Sequence, residues 1–477
     1  MMRKFFSLTT TLLLAACSFA PPYQRPDLPV AKAWPGPAKV GAGDDPKVVQ
    51  SKAKMSDWRV FLPDPRLQAL VIAALGYNRD MRIAVARVDE ARALYGIVGA
   101  DRLPTVNLAV SQAAARTPGA VTMTGKPLTI RRYDVALGVT AFELDFWGRV
   151  KNLGAAARAS FLATDEARDA FRLSLIADVA NTYFSVLELS ERTALARTTL
   201  ETRDESRRLV AKRREVGLAG DLDFLTADGA YELARAELAS LERSRAAAEN
   251  ALTLLVGTSP AVLPEGRSLR EQGGASELPV AIPSEVLLRR PDVRAAEQKL
   301  IAANANIGAA RAAFLPRIVL SLALGTASPA LSGLFEAGSG AWSFAPVLTQ
   351  PLFDAGRTGA GVDLAEARKV IAVAEYEKTL QQAFREVADL LSARDALAEQ
   401  LGAAEAAEKA QNERLRLVDA RYKAGVSSYL EVLDAQRETF AAQQAALQVR
   451  RTLSVALIQL YVALGGDSKP PQAADAN

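Results

Sequence analysis

The stretch from Arg208 to Gly257 returns as Arg416 to Gly465: Leu209-Val210 answers Leu417-Val418, Gly217 answers Gly425, and Leu225-Thr226-Ala227 answers Leu433-Asp434-Ala435, at a constant offset of 208 residues. A chain made of two copies of one unit has to meet every structural demand twice, which excludes most single-core folds. Each copy also carries a seven-residue seam. In the first it runs Phe224, Ala227, Tyr231, Ala234, Leu238, Leu241, Ala248, Leu252 and Leu255, with Arg245 alone out of place. In the second it runs Val432, Ala435, Thr439, Ala442, Ala446, Val449, Leu453, Ala456, Leu460 and Ala463, with only a threonine as a polar break. Seams this rich in alanine let helix axes approach closely. One such segment alone would also suit an amphipathic helix on a globular core. Its duplication favours paired long helices.

Composition narrows the chemistry. Hydrophobic residues make up 49% of the 477 positions and aromatics only 6%, as expected where alanine and leucine seams replace a bulky core. The formal charge of +4 gives no argument for nucleic acid. With no histidine and one cysteine, a histidine-based triad, a histidine metal site and a disulfide framework are excluded, and no cofactor is expected. Five methionines form no patch that would suggest copper.

Residues 1–16 have Arg3 and Lys4, an apolar run from Phe5 to Leu14 and then small residues, the pattern of a secretory leader too short to span a membrane. The leader ends Leu14-Ala15-Ala16-Cys17, which resembles the bacterial lipoprotein cleavage box. That resemblance makes Cys17 the lipidated, palmitate-bearing N-terminus of a lipoprotein. Ser18 follows where aspartate would favour inner-membrane retention, so the outer membrane is implied. Residues 17–56 are rich in proline, glycine and small side chains and are expected to form an extended arm.

The spacing predicts one helix from Arg66 to Ala100, repeated as Pro291 to Ala313, and both stop at Leu-Pro (Leu103-Pro104 and Leu315-Pro316). A pair of alternating, strand-like runs follows each stop. These are Thr105 to Arg116 with Arg132 to Leu144, and Ile318 to Gly325 with Trp342 to Leu352. Strands of about ten residues with one apolar face suit a membrane β-barrel, but four cannot close one. Open edges in lipid would leave backbone groups unpaired, so three chains would have to contribute. On alternation alone, two surface hairpins in water also fit. From the signatures FELDFWGR (142–149) and QPLFDAGR (350–357), helical stretches run to about Glu215 and Ala424, on the order of 100 Å each. Both reverse at glycine turns, Val216-Gly217 and Ala424-Gly425. The domain reading is therefore a leader over 1–16, the arm over 17–56, a first repeat over 57–265, a linker over 266–283, a second repeat over 284–466 and a disordered tail over 467–477.

Taken together, the cleavage box, the APPYQRP arm, DWRVFLPDPRLQALVIAAL, the paired Leu-Pro stops, PLFDAGR, YKAGVSSYLEVLDAQR and RRPDVRAAEQKL resemble the outer-membrane factor (TolC-like) family. The resemblance covers nearly the whole chain, and the similar branch is the lipoproteins serving resistance-nodulation-division efflux pumps. It implies a fold that is mainly α with a small β membrane part: a homotrimer with a 12-stranded β-barrel, four strands per chain, continued by a long α-helical periplasmic barrel and internally duplicated. An equatorial region would form from the termini and the linker. It also implies an outer-membrane channel of a tripartite system. The partners would be a periplasmic membrane-fusion adaptor, an inner-membrane efflux transporter and outer-membrane lipid.

By motif, the resemblance places Tyr422, Glu431, Asp434 and Asp223 at the pore constriction, and Gly217 and Gly425 at turns that dock the adaptor. Ser427 stands where some members have an arginine, leaving Arg421 or Arg437 as substitutes. Three copies of Asp434 would repel one another and attract cations. The competing description of these acids is a solvated helix end. A periplasmic adaptor or coiled-coil scaffold lipoprotein is the alternative function. No converging titratable cluster supports an enzyme. The exported substrate is not legible.

Overall fold

A computed structural model describes residues 19–31, 33–34, 57–258, 262–272 and 283–466. Cys17 with its cleavage box, most of the 17–56 arm and the 467–477 tail lie outside the described residues.

The elements are α1 (Trp58–Phe61), α2 (Pro65–Tyr77), α3 (Arg79–Ala100), β1 (Val106–Thr117), β2 (Leu128–Glu143), α4 (Arg149–Glu215), α5 (Asp221–Val256), α6 (Pro291–Ala312), β3 (Arg317–Ser328), β4 (Gly340–Thr349), α7 (Arg357–Lys423) and α8 (Tyr429–Ala463). The order helix, strand, strand, long helix, return helix occurs twice. The offset of 208 holds to the residue in the long helices, both 67 residues long. Among the described residues no helix is long and apolar enough to cross a membrane.

Two compact units form. Counting only the described residues within each range, one comprises Met1–Asp27, Arg87–Asp165 and Ala295–Glu377; the other comprises Leu28–Ala86, Glu166–Arg294 and Lys378–Asn477. The first holds one antiparallel sheet of order β1-β2-β3-β4. Residues opposite one another in an antiparallel pair share a face, so the register sorts the side chains. One face carries Val106 with Val139, Leu108 with Leu137, Val110 with Val135, and onward Leu324 with Trp342 and Leu322 with Phe344. The other carries Asn107, Ala109, Ser111, Gly138, Ala323, Ser343 and Ala345. Large apolar groups dominate the first face and most lie exposed, Leu108 at 66% and Trp342 at 78%. Small and polar groups predominate on the second, with Leu128, Ile130, Val319 and Val347 as its larger members. An aqueous surface would not be built this way, whereas a wall between lipid and a water-filled lumen would.

The signatures after β2 and β4 are helix starts. Asp145 Oδ2 accepts the Lys151 amide at 2.7 Å, and Asp354 accepts the amides of Gly356 and Thr358 at 3.0 and 2.9 Å, satisfying donors at the first turn. In the same unit the arm is pinned to α6. Arg25 makes a two-pronged ion pair with Glu297 at 2.7 and 3.0 Å, Tyr23 donates to the same carboxylate, and Asn304 Nδ2 donates to the Pro21 carbonyl.

One expectation needs correction: Arg66 to Ala100 is not one helix. It breaks at Asn78, whose ψ of 132° leaves the helical region. The Asn78 side chain accepts the Met81 amide at 2.8 Å to start α3, and donates to the Leu255 carbonyl at the end of α5. Asparagine offers its own backbone an alternative to helix, and a tertiary partner fixed the choice. The strand pairs lie where alternation placed them, β4 ending at Thr349 rather than Leu352, while β2 and β3 run longer. β2 begins at Leu128 and β3 reaches Ser328, because main-chain pairing continues where the side-chain pattern lapses.

Every seam position is buried or half-buried, while Leu225, Leu233, Leu254 and Leu430 beside them are exposed. The threonine in the second seam is accommodated because Thr439 Oγ1 donates to the Gln411 carbonyl of α7 at 3.0 Å.

Candidate functional site

The second unit contains both helix reversals. α4 ends where Gly217 takes φ +73°, with the Leu218 amide bonded to the Arg213 carbonyl and the Gly217 amide to the Arg214 carbonyl. α7 ends identically at Gly425 (φ +76°), with Val426 bonded to Arg421 and Gly425 to Tyr422. Both are Schellman caps, in which only glycine adopts the left-handed position without strain. A Cβ built on either glycine meets open space, so side-chain room is not the constraint. Around the turns, Val216, Leu218, Leu222, Val426 and Leu430 are all more than two-thirds exposed.

The sequence-expected acids divide by role. Glu431 closes the N-terminus of α8: its carboxylate accepts from the Ser428 amide and hydroxyl, and Ser428 Oγ accepts from the Glu431 amide. The Ser428 amide, with help from the Ser427 hydroxyl, holds the Glu431 carboxyl below the usual carboxylate range. Asp223 does the matching work for α5, accepting the Gly220 amide at 3.2 Å. These two carboxylates are therefore spoken for by the helix starts.

Asp434 is different. Arg414 reaches across from α7 to Asp434 Oδ2 at 2.6 Å, and Arg437 on α8 reaches Oδ1 at 2.9 Å. Arg414 chiefly, and Arg437 with it, depress the Asp434 carboxyl below its ordinary range, so it is ionised at neutral pH. Of the two candidate substitute arginines, Arg437 pairs with Asp434. Arg421 supplies a cap carbonyl and a charge that favours ionised Glu431. A carboxylate held between two guanidiniums is no longer a bare negative centre, which changes what three copies would bring together.

Tyr422 ties the two hairpins to each other. Arg213 of α4 donates to its hydroxyl at 2.8 Å and lies 5.6 Å from its ring centre, while Tyr429 packs against the ring at 5.8 Å. Tyr429 in turn shares a hydrogen bond with the Ser206 side chain of α4. Sequence reasoning missed Arg213, Arg414 and Tyr429. A signal was present for Arg414: helices reversing at Gly425 bring together residues at similar distances from the turn, and Arg414 lies 11 positions before it and Asp434 9 after. Arg207 with Asp228 repeats the arrangement around Gly217, at 3.2 Å.

A sheet with an apolar face and two outer edges left unpaired among the described residues, continued into paired 67-residue helices that reverse at glycine caps, is the organisation of an outer-membrane channel. The chain belongs to the outer membrane efflux protein family, whose model matches residues 70–258 and 282–466. Outer membrane protein OprJ of Pseudomonas aeruginosa is 43% identical over 463 residues, 96% of this chain and 95% of that protein. Solvent efflux pump outer membrane protein SrpC of Pseudomonas putida is 42% identical over 473 residues, 97% and 98% of the two chains. Among solved structures, the open state of the Neisseria gonorrhoeae MtrE outer membrane channel is similar with a TM-score of 0.85 at 38% identity, covering 95% of this chain and 99% of that one. A membrane protein from Pseudomonas aeruginosa has a TM-score of 0.88 at 42% identity, covering 96% and 100%. The family, the outer-membrane location and the channel class read from the sequence are thereby borne out, and the alternative of an adaptor or scaffold lipoprotein falls away.

Proposed function

We propose that three copies of the chain close their sheets into one 12-stranded barrel and act as the passive exit duct of a tripartite efflux system. In this reading the long helices extend into the periplasm, and the glycine turns meet a membrane-fusion adaptor that is itself coupled to an inner-membrane transporter. Cys17 carries the lipid anchor. The observation that carries the reading is the sheet: the outer edges of β1 and β4 are unpaired within the described residues, and its faces sort mainly into apolar and small-polar. Backbone groups left open in lipid cost several kcal/mol each, so a neighbouring copy has to pair them. Outer-membrane fractions should yield heat-modifiable trimers that conduct ions in planar bilayers. A monomer that leaves vesicles sealed would refute the duct.

The turns supply the gate and the dock. In the resting duct, Arg213–Tyr422 ties the two hairpins to each other and Arg414–Asp434 braces α7 against α8 within the second, and opening requires at least one of these links to part. Asp434→Ala removes the acceptor shared by Arg414 and Arg437, and should raise single-channel conductance severalfold in planar bilayers. Conductance equal to wild type would take Asp434 out of the constriction.

Gly425→Trp is expected to leave the trimer intact, since a Cβ at this surface turn meets open space, yet to abolish drug resistance in a strain relying on this duct. Left-handed backbone costs a non-glycine residue about 1–2 kcal/mol, too little to unfold the trimer but enough to reshape a surface turn. Resistance at the wild-type level would count against docking there.

A further inference from the structure

The lipid-facing side of the β1–β2 hairpin changes character along its length. From the helix-bearing end it reads Val106 with Val139, Leu108 with Leu137 and Val110 with Val135. Gln112 with Tyr133 follows, then Ala114 with Arg131, and last Arg116 with Thr129. The ten steps from Val106 to Arg116 advance roughly 34 Å along the strand, and a tilt of about 40° leaves roughly 26 Å of height, the thickness of the apolar band of such a wall. Arg116 and Arg131 thus stand at the headgroup level, on one face, as diagonal neighbours.

Both arginines are exposed, and neither has an ion-pair partner among the described residues. Lys126 in the connecting turn is exposed as well. Of the hairpin's two acids, Asp134 lies on the opposite face and is taken by Arg132 at 2.8 Å, and Glu143, at the helix-bearing end, is taken by Arg149 and Arg317. Glu336, in the loop between β3 and β4, is the acid of the other hairpin's turn. Three cations therefore stand uncompensated directly above an apolar strip.

We infer that Arg116, Arg131 and Lys126 form a binding site for the phosphate groups of a phosphorylated lipid of the outer leaflet, whose acyl chains lie along Val110, Val135 and Leu137. Guanidinium forks match phosphate oxygens in geometry and charge. The apolar strip beneath selects an amphiphile over a free anion. The site rests on the reading of this sheet as an outer-membrane wall with its hairpin turns outward.

The test uses the full-length protein purified in detergent, with bisphosphorylated lipid A, its dephosphorylated form and inorganic phosphate as probes, read by native mass spectrometry. Wild type should bind the bisphosphorylated lipid well above the dephosphorylated one. R116Q/R131Q should weaken that binding about thirtyfold, as two cations at an anionic lipid surface imply, and R116K/R131K should restore most of it. Unchanged binding by the glutamine variant, equal binding of both lipids by wild type, or displacement by millimolar inorganic phosphate would overturn the site. Planar-bilayer conductance of the same samples separates the two readings. A wild-type protein that does not conduct defeats the duct, whereas conductance with phosphate-independent lipid binding defeats only the lipid site.

Discussion

Leu137→Arg should prevent this protein from accumulating in the outer membrane, whereas Ala109→Arg, one residue along the paired strand from Leu108, should assemble and reach it. Leu137 sits in the central part of the sheet, paired with Leu108 on one side and Leu324 on the other, and all three lie exposed on the apolar face. An arginine facing lipid near the bilayer midplane costs about 2–4 kcal/mol, and a trimer bears that cost three times. Ala109 lies on the face of small and polar residues. A charge there meets water, so the expected consequence is altered conductance and ion selectivity without loss of trimer. Heat-modifiable trimer in outer-membrane fractions is the measurement. If both variants assembled equally, the assignment of faces would be wrong, and with it the orientation of the wall.

The second large effect is expected at Asp64. This carboxylate is fully buried and accepts five hydrogen bonds: from the amides of Arg66 and Leu67, which it caps at the start of α2, and from the Tyr183 hydroxyl, the Arg267 amide and the Gln272 side chain. It therefore joins α2, α4 and the segment between the repeats. Burial alone would raise its pKa, but the bonds from Gln272, Arg267, Tyr183 and Arg66 outweigh that and hold it below the ordinary carboxylate range. Asp64→Ala strands those donors and should destabilise the fold by about 3–5 kcal/mol, since each buried group left unpaired costs about 1–3 kcal/mol.

The pH dependence follows from the direction of the shift. Because the folded carboxyl is the stronger acid, its contribution is fully present above the unfolded value near 3.9 and is lost as pH falls through the lower, folded value. Wild type should lose stability in that acid window, and Asp64→Asn should flatten the loss while lowering stability at neutral pH. Thermal unfolding followed between pH 3 and 7 decides it; parallel curves for the two proteins would show that Asp64 titrates normally.

Much of the architecture was readable because it is repetitive. A seven-residue seam that recurs 208 positions later leaves little freedom: Ala227 and Ala435 are only 1% and 0% exposed. The turns were equally legible, since a glycine followed by a fresh apolar register announces a reversal, and Gly217 and Gly425 take the left-handed conformation that such a reversal needs. What could not be read depends on partners far away in sequence. Asn78 breaks its helix because Leu255 offers a carbonyl 177 positions later. Glu431 and Asp434 look alike in the motif, yet one is consumed by the start of its own helix and the other by an arginine of the preceding one. Helical spacing places both acids on α8, but it does not say which neighbour each will meet.

The two 67-residue helices carry a consequence for how such proteins vary in length. Arg213 and Tyr422 can meet only while α4 and α7 hold the same number of turns, so each helix acts as a gauge for the other. Insertions or deletions should be tolerated only as matched pairs, one in each half of the gene, and in steps of seven that return the alanine stripe to its place. A protein of this kind can be made to bridge a wider or narrower gap, but only by editing both rods together.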